Sequence, residues 1–371
     1  MIKNLKKKRI IFFLPNFARG GASESILKLI KFLIDHNFSI LVISIGKNFY
    51  RQELKKIGCD ISEISSIRSS LSLFKLRNLI KEEINRSFQK IIFISNIHYA
   101  NVISLISCFG LKKIKIILIE RSSISELNIF ENLILFLKNK FIFLLAKYLY
   151  QFADLVITNS KYEKNFIEKK FKVNKIKCIY PPSIKMVKSL KKSKNELNNN
   201  KKIIYVGRLS REKGVITILK ALSELKSLNF KFEIFGEGIE KEKLKLFVKY
   251  NDLNKKVVFK GFQKNKDLIF RNSNLFINAS WFEGLPNALV QSINNDVFPI
   301  CSNAPGGNIE VIKNGKLGLS FECENVLDLK KKILLFFKKK LKINQSIKRK
   351  HLLNYVEKRS HQEYLKTINN L

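Results

Sequence analysis

The sequence is poor in acid. Its 371 residues include 30 Asp and Glu against 70 Lys and Arg, a formal net charge of +40. Only seven of the acids are aspartate, and no two stand one residue apart, so there is no Asp-x-Asp pair of the kind that holds a divalent ion. Cysteine is sparse and odd in number: Cys59, Cys108, Cys178, Cys301 and Cys323 have no close pairing. That pattern fits no closed disulfide framework and makes reduced thiols the expectation. The four histidines, His36, His98, His351 and His361, are scattered, and none lies at ligand spacing from a cysteine, so no metal site is expected. No apolar run reaches the roughly 20 residues that a membrane-spanning helix needs. The basic start, Met1 to Arg9, leads into an apolar run, Ile10 to Leu14, that is too short for a signal peptide and lacks a small-residue cleavage site.

What the chain has in excess is lysine, and it has it everywhere. Residues 1–183 carry a net charge of +19 and the remainder +21, and only 12 of the 70 basic residues are Arg. A nucleic-acid partner would be marked by a basic stripe or a recognisable module. No zinc finger, aromatic RNA-recognition motif or basic zipper is present, so no nucleic acid is expected as partner. An even Lys excess, with abundant Ile, Asn and Phe, reads as compositional bias. It still favours an anionic membrane surface, where each lysine is worth about 1 kcal/mol. The most apolar stretch, Phe130 to Tyr150, is interrupted by Lys138, Asn139, Lys140 and Lys147. It reads either as a helix in the headgroup region or as a helix covering a sheet.

A chain of 43.2 kDa is long enough for two domains. Continuous apolar, β-rich runs alternate with helical stretches, the pattern of a doubly wound α/β sheet. In the first half the strands are expected at Ile10 to Leu14, Ser39 to Ile45, Lys90 to Ser95, Ile114 to Ile119, Leu155 to Asn159 and Ile176 to Tyr180. Pro181-Pro182 ends that half, and a Lys-Asn-Ser-rich stretch without apolar period follows as a linker. Further strands are expected at Ile203 to Val206, Phe232 to Phe235, Val257 to Lys260, Leu275 to Ala279, Phe298 to Ser302 and Leu317 to Phe321. The predicted domains are 1–183, a linker at 184–200, and 201–345. A helical segment at 346–371 is expected to cross back to the first domain.

Ligands of such sheets sit beyond the carboxyl ends of the strands. After the first strand, Gly20 and Gly21 let the backbone approach a ligand closely. Past later strands of the same half stand Asn96, His98, Asn101, Glu120, Arg121 and Ser160. In the second half, Gly207-Arg208-Leu209-Ser210-Arg211-Glu212-Lys213-Gly214 links a strand to a helix. Trp281-Phe282-Glu283-Gly284-Leu285-Pro286-Asn287-Ala288-Leu289-Val290-Gln291 links another. Pro286 suits the first turn of that helix, whose exposed N–H groups and positive dipole end attract an anion. A carboxylate, Glu283, and a phosphate-binding surface therefore stand side by side.

These strings are similar to the nucleotide-sugar signature of glycosyltransferase family four, retaining enzymes of the GT-B fold with two Rossmann-like doubly wound domains facing a central cleft. Glu283 with Gly284, Leu285, Pro286 and Asn287 resembles the core of that signature. Pro305-Gly306-Gly307-Asn308-Ile309-Glu310 resembles the next block, and Gly236-Glu237-Gly238 the glycine turn near the nucleotide. The resemblance implies that Arg208 and Lys213, after Gly207, grip the donor diphosphate without metal or cofactor. It implies that Glu283 lies at the donor sugar and that Glu310 orders the nucleotide loop. Gln291 stands where the family has an acid on the donor ribose; an amide can still accept and donate there but offers no anionic acceptor. Gly20 and Gly21 match the family's Gly-Gly-Ala loop, with Ser23 in place of the usual Glu. His98, Glu120 and Arg121 fall where relatives place acceptor-side residues. The family's usual histidine aligns with Asn96, however, so His98 reads equally as a satisfied loop histidine.

The implied activity is retaining, metal-independent transfer of a hexose or N-acetylhexosamine from a nucleotide-diphosphate sugar, UDP before GDP. The implied acceptor is a glycan or lipid-linked glycan at the cytoplasmic face of the membrane, in surface polysaccharide assembly. A nucleotide-sugar epimerase of the same architecture and a non-catalytic subunit with a degenerate site are the alternatives.

Overall fold

The computed structural model describes residues 8–15, 17, 20–46, 48–64, 72–86, 90–129, 132–189, 201–339 and 341–371. They fall into two compact units, Met1–Pro181 with Ser360–Leu371, and Pro182–Arg359.

The first unit is built on seven strands: β1 (Arg9–Leu14), β2 (Ser39–Ile45), β3 (Asp60–Ile64), β4 (Ile91–Asn96), β5 (Ile114–Glu120), β6 (Leu155–Thr158) and β7 (Ile176–Cys178). They pair in parallel in the order β3-β2-β1-β4-β5-β6-β7. Parallel strands need crossover helices, which cover both faces, and this explains why β1 is an unbroken apolar run. Alternate side chains of one strand feed two cores. Ile11 and Phe13 pack with Phe93 and Leu118 on one face, while Ile10 and Phe12 pack with Ile94 and Ile117 on the other. Tyr364 and Ile368 of the last helix, Glu357–Asn369, join the second of these cores.

Strand β3 is absent from the sequence-based strand set. Its Asp-Ile-Ser-Glu-Ile pattern has no continuous apolar run because it is an edge strand with one neighbour, β2.

The second unit has six parallel strands: β8 (Lys201–Val206), β9 (Phe230–Phe235), β10 (Val257–Gly261), β11 (Leu275–Asn278), β12 (Phe298–Ser302) and β13 (Leu319–Phe321). Their order is β10-β9-β8-β11-β12-β13. Chain direction of winding reverses between β8 and β11, the place where doubly wound sheets bind ligands. The loops leaving those two strands are the ones that carry Arg208 and Lys213, and Glu283.

The boundaries differ in detail from the expectation. Residues 190–200 of the expected linker lie outside the described residues. Ile184, placed at the linker's start, forms a parallel bridge with Val356, and the Ser183 and Ile184 N–H groups both donate to the Tyr355 carbonyl. These bonds hold 353–357 to the second unit. The segment expected to cross back from 346 therefore divides, and only Ser360–Leu371 packs in the first unit.

Candidate functional site

The second unit assembles its site from two loops that the sheet order makes neighbours. The Trp281 N–H donates to the Glu212 carbonyl at 2.8 Å, and the Arg211 guanidinium lies 5.4 Å over the Trp281 ring. With the loops held together, the Lys213 ammonium nitrogen comes within 2.8 Å of Glu283 Oε1. The Ser280 hydroxyl donates to the same oxygen at 2.7 Å. Glu283 Oε2 has no hydrogen-bond partner among the described residues, and the side chain keeps 16% of its surface exposed. One oxygen is held and the other is presented.

A third loop fixes the Glu283 backbone. Glu283 and Gly306 form a parallel bridge, and the Glu283 N–H donates to the Pro305 carbonyl at 3.0 Å. Gly306 has φ +120°, and a Cβ there would stand 1.6 Å from the Glu283 carbonyl oxygen. Only glycine satisfies both conditions. Gly236 is built the same way: a Cβ at its φ of +146° would meet the Gly207 carbonyl oxygen at 1.8 Å. The glycine turn after β9 thus seats the start of the Arg208 loop.

Arg208 is exposed, and its carbonyl accepts from the Tyr205 hydroxyl at 2.8 Å. Burial pushes the Tyr205 phenol well above its usual range; the Glu283 and Glu212 carboxylates push it further and Arg208 opposes them. The Glu283, Glu212 and Arg208 charges are thus all felt at one buried ring. The short helix Asn287–Asn294 follows. Pro286 is its cap residue, not a residue of its first turn, and the Pro286 carbonyl accepts from the Leu289 and Val290 N–H groups. Gly284, Leu285 and Pro286 are buried and Asn287 is half-buried. Gln291 donates from Nε2 to the Ser183 carbonyl at 2.9 Å, and Ser183 donates to Asn287 Oδ1 at 2.6 Å. One of the two amide hydrogens is thus spent on the backbone. Glu310 is half-buried in the short helix Asn308–Val311.

Ser280 and Tyr205 escaped sequence reasoning as site builders: each reaches only three residues along the chain, Ser280 to Glu283 and Tyr205 to Arg208, and a Ser or Tyr near a strand end carries no signal of that role. Trp281 and Gly306 stand within the quoted motifs, but their contacts to Glu212 and Glu283 cross between loops.

In the first unit the expected acceptor-side residues separate into two groups. His98 and Glu120 are fully buried. His98 Nδ1 lies 3.5 Å from Glu120 Oε2, and Nε2 lies 2.7 Å from Glu126 Oε1. Glu120 also accepts from Asn101 Nδ2 at 2.7 Å and from the Tyr150 hydroxyl. Burial lowers the His98 pKa, but the two carboxylates outweigh it and raise it to about 10. In this ion cluster, at the loop after β5, His98 and Glu120 are sealed from solvent, and Glu126 keeps 23% of its side chain exposed. Gly20 and Gly21 are exposed, at the start of the helix Gly21–Asp35. Arg121 is half-buried beside Asn96 and Ser25. Asn16, Ala18 and Arg19 of the same glycine loop lie outside the described residues.

The apolar stretch of the first unit is a helix, Leu133–Leu149, whose ends fall inside the expected limits. It packs through Ala146 and leaves Leu133, Ile134, Leu137, Phe141 and Leu144 exposed. No described helix is long and apolar enough to cross a membrane. Among the described residues no three His, Cys, Asp or Glu side chains gather as a metal site.

Residues 187–359 match the family model for glycosyl transferases group 1. Over 97% of this chain and 98% of the relative, the sequence is 27% identical to a GalNAc-alpha-(1->4)-GalNAc-alpha-(1->3)-diNAcBac-PP-undecaprenol alpha-1,4-N-acetyl-D-galactosaminyltransferase of Campylobacter jejuni. A second protein of that organism, N-acetylgalactosamine-N,N'-diacetylbacillosaminyl-diphospho-undecaprenol 4-alpha-N-acetylgalactosaminyltransferase, is 30% identical over 52% of this chain and 54% of its own. Among solved structures, Anabaena Alr3699/HepE in complex with UDP and glucose superposes with a TM-score of 0.74 at 18% identity, covering 98% of this chain and 99% of that one. The likeness is one of fold, two Rossmann-like units of the GT-B kind.

Proposed function

We propose that this chain, a glycosyltransferase with a domain of the glycosyl transferases group 1 family at residues 187–359, transfers a hexose or N-acetylhexosamine from a nucleotide-diphosphate sugar with retention and without a metal ion. The observation that carries the reading is the Lys213–Glu283 pair at 2.8 Å. It places a cation and a carboxylate with one unused oxygen at the reversal point of the second sheet.

As the bond from sugar to diphosphate breaks, negative charge grows on the leaving oxygens and positive charge on the anomeric carbon. Groups that favour this separated state more than the ground state lower the barrier. Arg208 supplies a planar fork for two phosphate oxygens and Lys213 a point charge. The N–H groups at the start of the helix Asn287–Asn294 complete the cradle. Glu283 Oε2 faces the sugar, orienting its hydroxyls and stabilising the anomeric carbon, while Lys213 and Ser280 keep Oε1 in place. Gln291 offers its remaining carbonyl oxygen to the ribose. Gly207, Gly236 and Glu310 shape the nucleotide side.

UDP is the preferred donor nucleotide, supported by the fold shared with a UDP-binding protein. The acceptor is proposed to be a lipid-linked glycan, supported by the undecaprenol diphosphate acceptors in the names of the Campylobacter relatives. Gly20, Gly21 and Arg121 make the acceptor side, with His98 and Glu120 beneath them. The helix Leu133–Leu149, with three lysines and no acid, rests on the anionic cytoplasmic face of the membrane.

The deciding experiment incubates the purified chain with UDP- and GDP-sugars and a short-chain lipid-diphosphate glycan, with and without EDTA. Transfer that persists in EDTA with the anomeric configuration kept supports the reading. Abolition by EDTA removes the metal-free claim, inversion removes retention, and sugar interconversion without acceptor makes the chain an epimerase.

A further inference from the structure

We propose that Arg121, Asn96 and the start of the helix Gly21–Asp35 form an anion site in the first unit, built for a phosphate or diphosphate ester. On the acceptor reading above, that group is the acceptor's own diphosphate.

Arg121 follows β5 and is half-buried, yet among the described residues no carboxylate pairs with it. Its Nε donates to Asn96 Oδ1 at 3.0 Å and Nη1 to Ser25 Oγ at 3.3 Å, both neutral acceptors. A guanidinium has five N–H donors, so donors remain. Burial pushes its pKa below the usual value, and the Tyr364 phenol is the group that counters this. Arg9 shows the contrast within the same unit. It is met by Asp60 at 2.6 Å and Glu83 at 2.8 Å, and its pKa is raised. A desolvated cation without a counter-charge is costly, and a bound anion removes the cost.

Two further observations place the anion. Asn96 is 2% exposed, and its Nδ2 has no hydrogen-bond partner among the described residues. Since Arg121 holds Oδ1, the amide lies at the guanidinium with its two N–H donors unspent. Ser25 is the fifth residue of a 15-residue helix, so the guanidinium that it binds lies about one turn along from the free N–H groups of the helix start. Gly20 and Gly21 are exposed there, and a Cβ on Gly20 would meet no atom of the described residues within 4 Å. These parts come from the end of β4 and from the segments that follow β1 and β5, at the reversal of strand order in the first sheet.

The test uses the full chain in two arms. The first carries Arg208→Ala and Lys213→Ala, which remove the two cations assigned above to the donor diphosphate, and titrates inorganic pyrophosphate by calorimetry. Binding should persist there and weaken by about 10- to 100-fold when Arg121→Gln is added, with Arg121→Lys keeping part of it. No binding in that background, or binding indifferent to Arg121→Gln, overturns the site, and this arm does not depend on transfer activity. The second arm measures KM for two acceptors with the same sugar, one on a short-chain lipid diphosphate and one on a neutral alkyl glycoside. Arg121→Gln should raise KM for the first alone. A rise in donor KM alone would assign the anion to the donor and overturn the acceptor assignment, and an equal rise for both acceptors would reduce Arg121 to a structural part.

Discussion

Lys213 Nζ and Glu283 Oε1 meet at 2.8 Å across 70 residues of chain. The lysine fixes one carboxylate oxygen and leaves the other open, so its removal should affect chemistry more than folding. Lys213→Ala should lower kcat by about 10²- to 10³-fold, the usual loss for one charge-stabilising donor. Glu283 keeps Ser280 and partial contact with water, so the melting temperature should hardly move. Initial rates and a thermal melt check this; a kcat within about threefold of wild type would remove Lys213 from the machinery.

Gly306→Ala tests the seat under Glu283. The added Cβ cannot occupy its place 1.6 Å from the Glu283 carbonyl oxygen, so the loop must shift. The variant should lose about 2 kcal/mol or more of stability and most of its turnover. Urea melts and rates on the same preparation check both, and wild-type behaviour in either would show that the two loops are not locked together.

Raising pH should destabilise the first unit. The folded His98 pKa of about 10 lies above its ordinary 6.5, so its contribution is complete below about pH 6.5 and is lost as pH rises toward 10. Glu163 acts in the same direction in a lower window. Burial raises it to about 7, against the Ile124 N–H bond that favours the carboxylate, so ionising it costs stability between about pH 4.5 and 7. Melting temperature followed from pH 5 to 10 should therefore fall, with a shallower fall above about pH 6.5 in His98→Gln and below about pH 7 in Glu163→Gln. Slopes unchanged by these substitutions would dissociate the two groups from the effect.

Gln291→Glu restores the acid that the family resemblance leads one to expect, at the cost of the bond to the Ser183 carbonyl. A carboxylate cannot donate to that oxygen, and the lost bond should reduce stability by about 1 kcal/mol. Donor affinity should rise as the new anion turns to the ribose. Calorimetric titration with the UDP-sugar checks the second effect, and unchanged affinity would take residue 291 off the ribose.

Ile134→Glu with Leu137→Glu should weaken binding to anionic liposomes without altering the melt, since both side chains are exposed on the helix Leu133–Leu149. Added salt should weaken wild-type binding as well. Equal sedimentation of variant and wild type would move the contact elsewhere.

Much of this protein is legible in one dimension. Ile10 to Leu14 and Leu275 to Ala279 announce buried parallel strands because a strand covered on both faces must be apolar throughout. The strings around Gly207–Gly214 and Glu283–Gln291 announce strand-to-helix loops with an exposed helix start because loop and helix start are local. Strand β3 does not announce itself, since an edge strand has a single neighbour and can alternate. Tertiary structure alone decided that Lys213 would pair with Glu283 and that Gln291 would spend one amide hydrogen on Ser183. It also decided that His98 would be set between Glu120 and Glu126 while Arg121 has no carboxylate partner among the described residues. The reason is physical: local sequence sets which residues can form a strand, turn or helix start. Charge pairing and burial depend instead on sheet order and register, which bring side chains together across tens of residues.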